Sequence, residues 1–238
     1  MIWESSIKYY YDLHVHSILS PCADLLMTPN NILNMAMLKE LDFIAITDHN
    51  STKQLKIIQE LQESYDFIII PGVEVTVLEG FDVLCYFRSF EDAILFNTYL
   101  EGHLTDDWNN YTQDDQVITD IYDMTLEVYP KPLTGTTIQY GELVNEVRKY
   151  DGAIVLAHID RKSQTPLKAF KLSDIDFDGI EIQPYSREQF IEQNEYVKEY
   201  KIFHNSDSHS LLQLHEKEYS IELKDKTIDS FFEYLKGE

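Results

Sequence analysis

The chain has 238 residues, 44% of them hydrophobic, with 42 Asp and Glu against 19 Lys and Arg, for a formal net charge of −23. That apolar content excludes a disordered chain. The acidic excess argues against a non-specific duplex or anionic-membrane binder, since phosphates recruit Lys and Arg.

In chain order, the first predicted element is a strand over 9–14. Thr28 followed by Pro29 reads as an N-cap with proline at the first helical position, opening a helix to about 41. The apolar run 43–47 is a buried strand, followed by a helix over 52–64. Residues 67–77 are strand-like but interrupted at Pro71-Gly72, and Gly80 turns the chain into a strand over 82–87 that can pair back as a hairpin. A helix follows over 91–100. From 105 to 132 the composition turns acidic, and this stretch is predicted to be a surface insertion with some hairpin content. Beyond it come a helix over 140–150, strands at 154–157 and 179–183, a helix over 187–200, a strand at 202–205 and a last helix over 228–236. Strands alternating with helices predict an α/β fold, with a mostly parallel sheet flanked by helices that can close into a barrel. One domain, 1–238, is expected. No apolar run approaches the ~20 residues of a membrane span, and the opening residues lack the basic head and apolar core of a signal peptide. The chain therefore reads as soluble and cytoplasmic. Two cysteines, Cys22 and Cys85, exclude a disulfide framework and an all-thiolate zinc site.

Of the eight histidines, five fall at the ends of predicted strands or just beyond. Alternation along the first strand puts Asp12, His14 and His16 on one face, where two imidazoles can converge on a metal and a nearby Asp can accept a second ring proton. Taken alone, the pair also reads as two partly exposed histidines on an edge strand. Asp48-His49-Asn50 follows the apolar strand, at the rim where α/β proteins carry their chemistry; Asp and Asn there can equally be helix caps. Glu74 stands between two valines; buried, it needs a partner or a metal, and outward it is a surface carboxylate. His158 closes the run Ile-Val-Leu-Ala, where a core histidine is the ordinary reading. Asp207 and His209 repeat the spacing of His14 and His16 among small serines. Singly these patches say little. Five of them at successive strand ends have no structural reason to coincide. An imidazole and carboxylate set without thiolate suits Zn, Mn, Fe or Co. Its size suits two or three ions, which acidify water and clamp an in-line displacement when ~3.5–4 Å apart. Hydrolysis is the natural reaction class.

As an ordered set, DLHVHS, ITDHN, PGVEVT, AHID and SDSH resemble the polymerase and histidinol phosphatase (PHP) family of metal-dependent phosphoesterases, and the match spans most of the chain. The resemblance implies a distorted (β/α)7 TIM-like barrel with two or three divalent ions (Mn, Zn or Fe) at the C-terminal strand ends. It implies His14, His16, His49, Glu74, His158, Asp207 and His209 as ligands, Glu74 bridging and Asp48 supporting. Asp24 resembles the aspartate that follows the first motif and is assigned a ligand and catalytic role, as is Asp207. One position departs from the pattern: the histidine usual after the glutamate is replaced by Asp82, taken here as a ligand, with His103 as a distant substitute. His204 and His215 read as structural or surface residues. Arg161 and Arg187 are candidate phosphate contacts, although exposed arginines on an acidic surface are ordinary. Neither cysteine has a recognisable activating base.

The expected function is hydrolysis of a phosphate ester by a metal-activated hydroxide. The expected partners are small: a nucleotide, a short single-stranded oligonucleotide end or another phosphomonoester. The alternatives are hydrolysis of a non-phosphate bond and a catalytically silent metal-binding module, which Asp82 keeps open.

Overall fold

A computed structural model describes residues 6–107 and 116–237. Its elements run β1 (Ile7–Val15), α1 (Pro29–Leu38), β2 (Phe43–Ile46), α2 (Leu55–Gln62), β3 (Ile68–Thr76), β4 (Asp82–Tyr86), α3 (Phe90–Glu101), β5 (Val117–Thr119), β6 (Thr125–Val128), α4 (Tyr140–Arg148), β7 (Ala153–Leu156), β8 (Gly179–Glu181), α5 (Arg187–Gln193), β9 (Ile202–Phe203), β10 (Ser220–Leu223) and α6 (Ile228–Lys236). Eight strands form one sheet in the order β10-β1-β2-β3-β4-β7-β8-β9. The pairs β1–β2, β2–β3, β7–β8 and β8–β9 are parallel; β10–β1, β3–β4 and β4–β7 are antiparallel. Beyond β9, Ser208 bridges in parallel to Val15, and the His16 N–H donates to the Ser208 carbonyl at 2.9 Å. The far edge thus returns to β1, and the sheet curls on itself.

Alternation along the strands explains where the site sits. Alternate residues share a face, so Ile70, Gly72 and Glu74 of β3 line up, as do Tyr86, Leu84 and Asp82 of β4. At one end this face is apolar: Leu13, Phe43, Ile70, Leu84 and Val155 pack under Phe231, Phe232 and Leu235 of α6. At the other end it carries Glu74 and Asp82, both buried. The opposite face holds Ile44, Val73, Val83 and Leu156 against α1 to α4.

Several elements differ from expectation. Pro71-Gly72 does not interrupt β3. Pro71 is the last residue paired with β2 and Gly72 the first paired with β4. A Cβ on Gly72 would lie 2.9 Å from Thr47 Cγ2 and 3.0 Å from Tyr86 Cδ1, so the glycine permits close strand approach. The Gly80 turn, at φ 82°, does make the β3–β4 hairpin. β10 was not expected; it covers the start of β1. The helix expected over 187–200 stops at Gln193, because Asn194 (φ −134°, ψ 59°) breaks it before a 3-10 turn. The acidic stretch contains the antiparallel hairpin β5–β6, which packs Ile118 and Tyr129 against Leu19 and Leu133; residues 108–115 of that stretch lie outside the described residues. Among the described residues no helix is long and apolar enough to cross a membrane.

Candidate metal centre

At the polar end of the inner face, four histidines converge on one carboxylate. Glu74 Oε2 lies 3.2 Å from His14 Nε2, 3.2 Å from His16 Nε2 and 3.1 Å from His49 Nδ1, while Oε1 lies 3.1 Å from His158 Nε2. Asp207 Oδ1 adds a second carboxylate, 3.4 Å from His14 Nε2 and 3.3 Å from His16 Nε2. Three overlapping groups result: His16, His49 and His209; His14, His16, Glu74 and Asp207; Glu74, Asp82 and His158. Eight of the nine expected ligands are therefore brought together.

The donor atoms fit cations better than they fit each other. His14 Nε2 and His16 Nε2 are only 3.1 Å apart, and Glu74 Oε2 is buried without a properly formed hydrogen bond. Two neutral imidazoles facing each other through the same nitrogen cannot both donate, and buried unpaired oxygens are costly. The outer ring nitrogens are engaged. His14 Nδ1 lies 3.0 Å from Glu181 Oε2, and His16 Nδ1 lies 3.0 Å from Ser20 Oγ. With the proton on Nδ1, each ring turns a lone pair at Nε2 toward the centre, the tautomer a metal ligand needs.

Backbone geometry is also unusual here. His158 (φ 30°) and Asp207 (φ 52°) both sit in the left-handed region, where side chains with a Cβ are disfavoured. Such strain persists only where the surroundings over-determine it.

Asp48 does not touch the three groups. Its carboxylate accepts from Ser17 N–H at 2.7 Å, Ser17 Oγ at 2.6 Å and Ser20 Oγ at 2.7 Å, tying down the loop after His16. Asp82 does join, with Oδ2 3.7 Å from His158 Nε2 and Oδ1 accepting from Thr76 Oγ1 at 2.6 Å. Burial, reinforced by the Glu74 charge, pushes its carboxyl up to about 6.

Other expectations are corrected. Asp12 does not orient the histidines; its oxygens accept the Ser206 and His215 N–H groups at 3.0 Å. A register shift between Asp12 and Val15 breaks the alternation that would have aligned it. The orienting carboxylate is Glu181, which was missed. It is fully buried and accepts from His158 N–H (3.1 Å) and Asn205 Nδ2 (2.7 Å) besides facing His14. Its signal was present: Glu181 stands between two isoleucines as Glu74 stands between two valines.

Asp24 stands apart from the three groups. Its backbone N–H donates to the His209 carbonyl at 2.8 Å, but its exposed carboxylate accepts from Leu26 N–H at 2.9 Å. Arg161 reaches the centre. Nη1 donates to His158 Nε2 at 3.0 Å and Nη2 to Asp207. Arg187 lines a hollow with Glu188, Glu192 and Glu218, and no hydrogen bond or ion pair joins it to the centre among the described residues. His103 packs on Tyr99, away from the site. Burial, with Glu74 and Asp207 nearby, pushes the Cys22 thiol up, so it is no nucleophile.

Protons and metals compete for these atoms. Burial alone would lower the His16 pKa, but Asp207 and Glu74 outweigh it and raise it to about 9; Glu74, Glu181 and Asp207 likewise hold His14 well above its usual value. Raised values mean stabilisation that is full below the unfolded pKa and lost as pH rises through the folded one. The metal-free protein should therefore lose stability from about pH 6.5 to above pH 9. Divalent ions must expel those protons, so affinity should rise about tenfold per pH unit for each proton displaced. Titration of Mn into weakly buffered, chelator-treated protein at pH 7.5 should release protons; binding without release would contradict this.

No family model matches the chain, and no curated protein sequence matches it. Solved structures do. The lesion-specific endonuclease EndoQ from Pyrococcus furiosus superposes with a TM-score of 0.73 at 18% identity, over 97% of this chain and 56% of that one. A two-domain protein from Bacteroides vulgatus, containing a predicted PHP-like metal-dependent phosphoesterase, gives 0.59 at 18% identity, over 97% and 63%. An amidohydrolase from Chromobacterium violaceum gives 0.62 at 16% identity, over 95% and 96%. The chain spans little more than half the length of the endonuclease, and what it shares with all three is the fold.

Proposed function

We propose that this chain is a member of the PHP family and a metal-dependent phosphoesterase. The observation that carries this reading is the convergence of four imidazoles and Asp207 around Glu74, in three groups of ligand geometry with no thiolate. His14, His16, His49, Glu74, Asp82, His158, Asp207 and His209 would hold two or three divalent ions, with Mn, Zn and Fe suited to this donor set. Bound there, such ions would acidify a water and neutralise charge on the phosphoryl oxygens.

The chain's own residues do the rest. Glu181 and Ser20 fix the ring tautomers of His14 and His16. Asp48 anchors the loop that carries His16 and Ser20. With ions on His158 and Asp207, Arg161 would give up its present contacts to them and offer its permanent positive charge to a phosphate oxygen at the rim. Asp24 would serve the leaving group only by turning its exposed carboxylate away from the Leu26 N–H that holds it. We read the curled sheet, closed through Val15 and Ser208, as the distorted (β/α)7 barrel, and the acidic stretch 105–132 as an insertion in a single domain. A small phosphomonoester or a nucleic-acid end suits this acidic chain better than a long duplex, and the endonuclease neighbour acts on lesions.

Phosphate release from nucleotides, short oligonucleotides and sugar phosphates tests the reading. Turnover should require added metal, and Asp207→Asn should lower it by about 10²–10³-fold while far-UV circular dichroism stays unchanged. Unaltered turnover in that variant would refute the site. Asp82 in place of histidine supports a second reading, a metal-binding module without catalysis, which predicts bound metal and no turnover on any ester.

A further inference from the structure

Two hollows flank the centre, and they differ in chemistry. One, of about 310 Å³, is lined by Cys22, His49, Thr76, Asp82 and Thr134, with no Lys or Arg among its described lining residues. The other, of about 590 Å³, opens between the turn after β7 and the start of α5. Arg161 forms its inner wall, and the same guanidinium holds His158 and Asp207. Lys162 stands exposed at its lip, with no ion pair among the described residues. Two cations around one hollow are notable in a chain with 42 acidic and 19 basic side chains. The hollow's one carboxylate, Asp160, is already used: it accepts the Gln183 N–H at 3.1 Å and the Ser186 hydroxyl.

That use matters, because it ties down the turn that carries Tyr185. Tyr185 is 83% exposed, and its hydroxyl donates to Gln183 Oε1. A large aromatic ring displayed to solvent on an anchored turn, with no ring stacked on it among the described residues, is a platform open to a ligand. Phe190 adds a second aromatic surface to the hollow, and Gln189 and Gln193 add exposed primary amides. Aromatic rings stack on nucleobases, and amides pair with the donors and acceptors of a base edge. Cations beside the centre suit the phosphate end.

We propose that this hollow is a nucleoside pocket: a nucleotide whose phosphate reaches the centre past Arg161 lays its base on Tyr185. The inference rests on the phosphoesterase reading and names the substrate class for it. A sugar phosphate lacks the part that Tyr185 would recognise.

The test compares adenosine 5′-monophosphate with ribose 5-phosphate on the metal-loaded protein. In Tyr185→Ala the ratio of their kcat/KM values should fall by about 10-fold or more, mainly through KM for the nucleotide. Tyr185→Phe should keep the ratio, and so should Tyr122→Ala, which removes an exposed tyrosine of the β5–β6 hairpin. An unchanged ratio in Tyr185→Ala overturns the pocket. Equilibrium dialysis of the same two ligands separates this inference from the reading beneath it. Tighter binding of the nucleotide, lost in Tyr185→Ala, supports the pocket even if the chain hydrolyses neither compound. Equal binding of the two, or a nucleotide preference that survives in Tyr185→Ala, overturns it.

Discussion

Replacing Glu74 with glutamine should lower metal-dependent phosphate release by at least about 10²–10³-fold and remove at least one bound ion per chain. Glu74 belongs to two of the three groups, and its Oε2 also faces His49 of the third. Among the described residues no other side chain reaches four of the histidines. Burial would raise its carboxyl pKa, but His14 and His49 outweigh burial and hold it well below the usual range, so the group is an anion at any working pH. Glutamine keeps the shape and loses the charge. It also turns an amide donor toward ring nitrogens that must present lone pairs. Metal analysis of wild type and variant, purified side by side, reads the effect directly. A Glu74→Gln protein with full metal content and full turnover would remove the carboxylate from the centre.

The second large effect is expected at a residue that touches no substrate. Glu181 Oε2 faces His14 Nδ1 and accepts from Asn205 Nδ2, while Oε1 accepts from the His158 N–H. All three neighbours are donors, so both oxygens must remain acceptors. Glutamine would set an NH₂ against at least one donor in a site with no solvent access, costing about 1–3 kcal/mol for the unpaired group. It would also free the His14 ring to adopt the wrong tautomer. Metal affinity should therefore fall by about 10–100-fold, with kcat largely recovered at saturating metal. That recovery marks a positioning residue. Loss of kcat that no metal concentration restores would instead place Glu181 among the ligands.

The contrast between these two glutamates shows what was legible. Glu74 and Glu181 have the same local signature, a carboxylate between two β-branched residues in a short apolar strand. Only Glu74 falls within a recognisable motif, and only Glu74 was singled out. The five site histidines were legible because each stands at a strand end or in the segment just beyond, and strands that run side by side bring their ends together. Asp12 was misleading for a local reason: a register shift follows it, and alternation fails across such a shift. The loops were less legible still. Asp24 and Arg187 lie in segments where the side-chain direction depends on local hydrogen bonds, and Asp24 is turned aside by the Leu26 N–H. β10 is four residues long within a polar stretch, too short for its alternating burial to stand out.

The most direct test of the account is a metal titration read in two ways on one sample. Chelator-treated protein would receive Mn in steps, with bound ions counted by equilibrium dialysis and phosphate release followed from a nucleotide substrate. The metal-free chain should release no phosphate, and activity should rise with occupancy to two or three ions. Full release before any ion binds, or complete loading without release from any phosphate ester, would contradict a catalytic metal centre at Glu74.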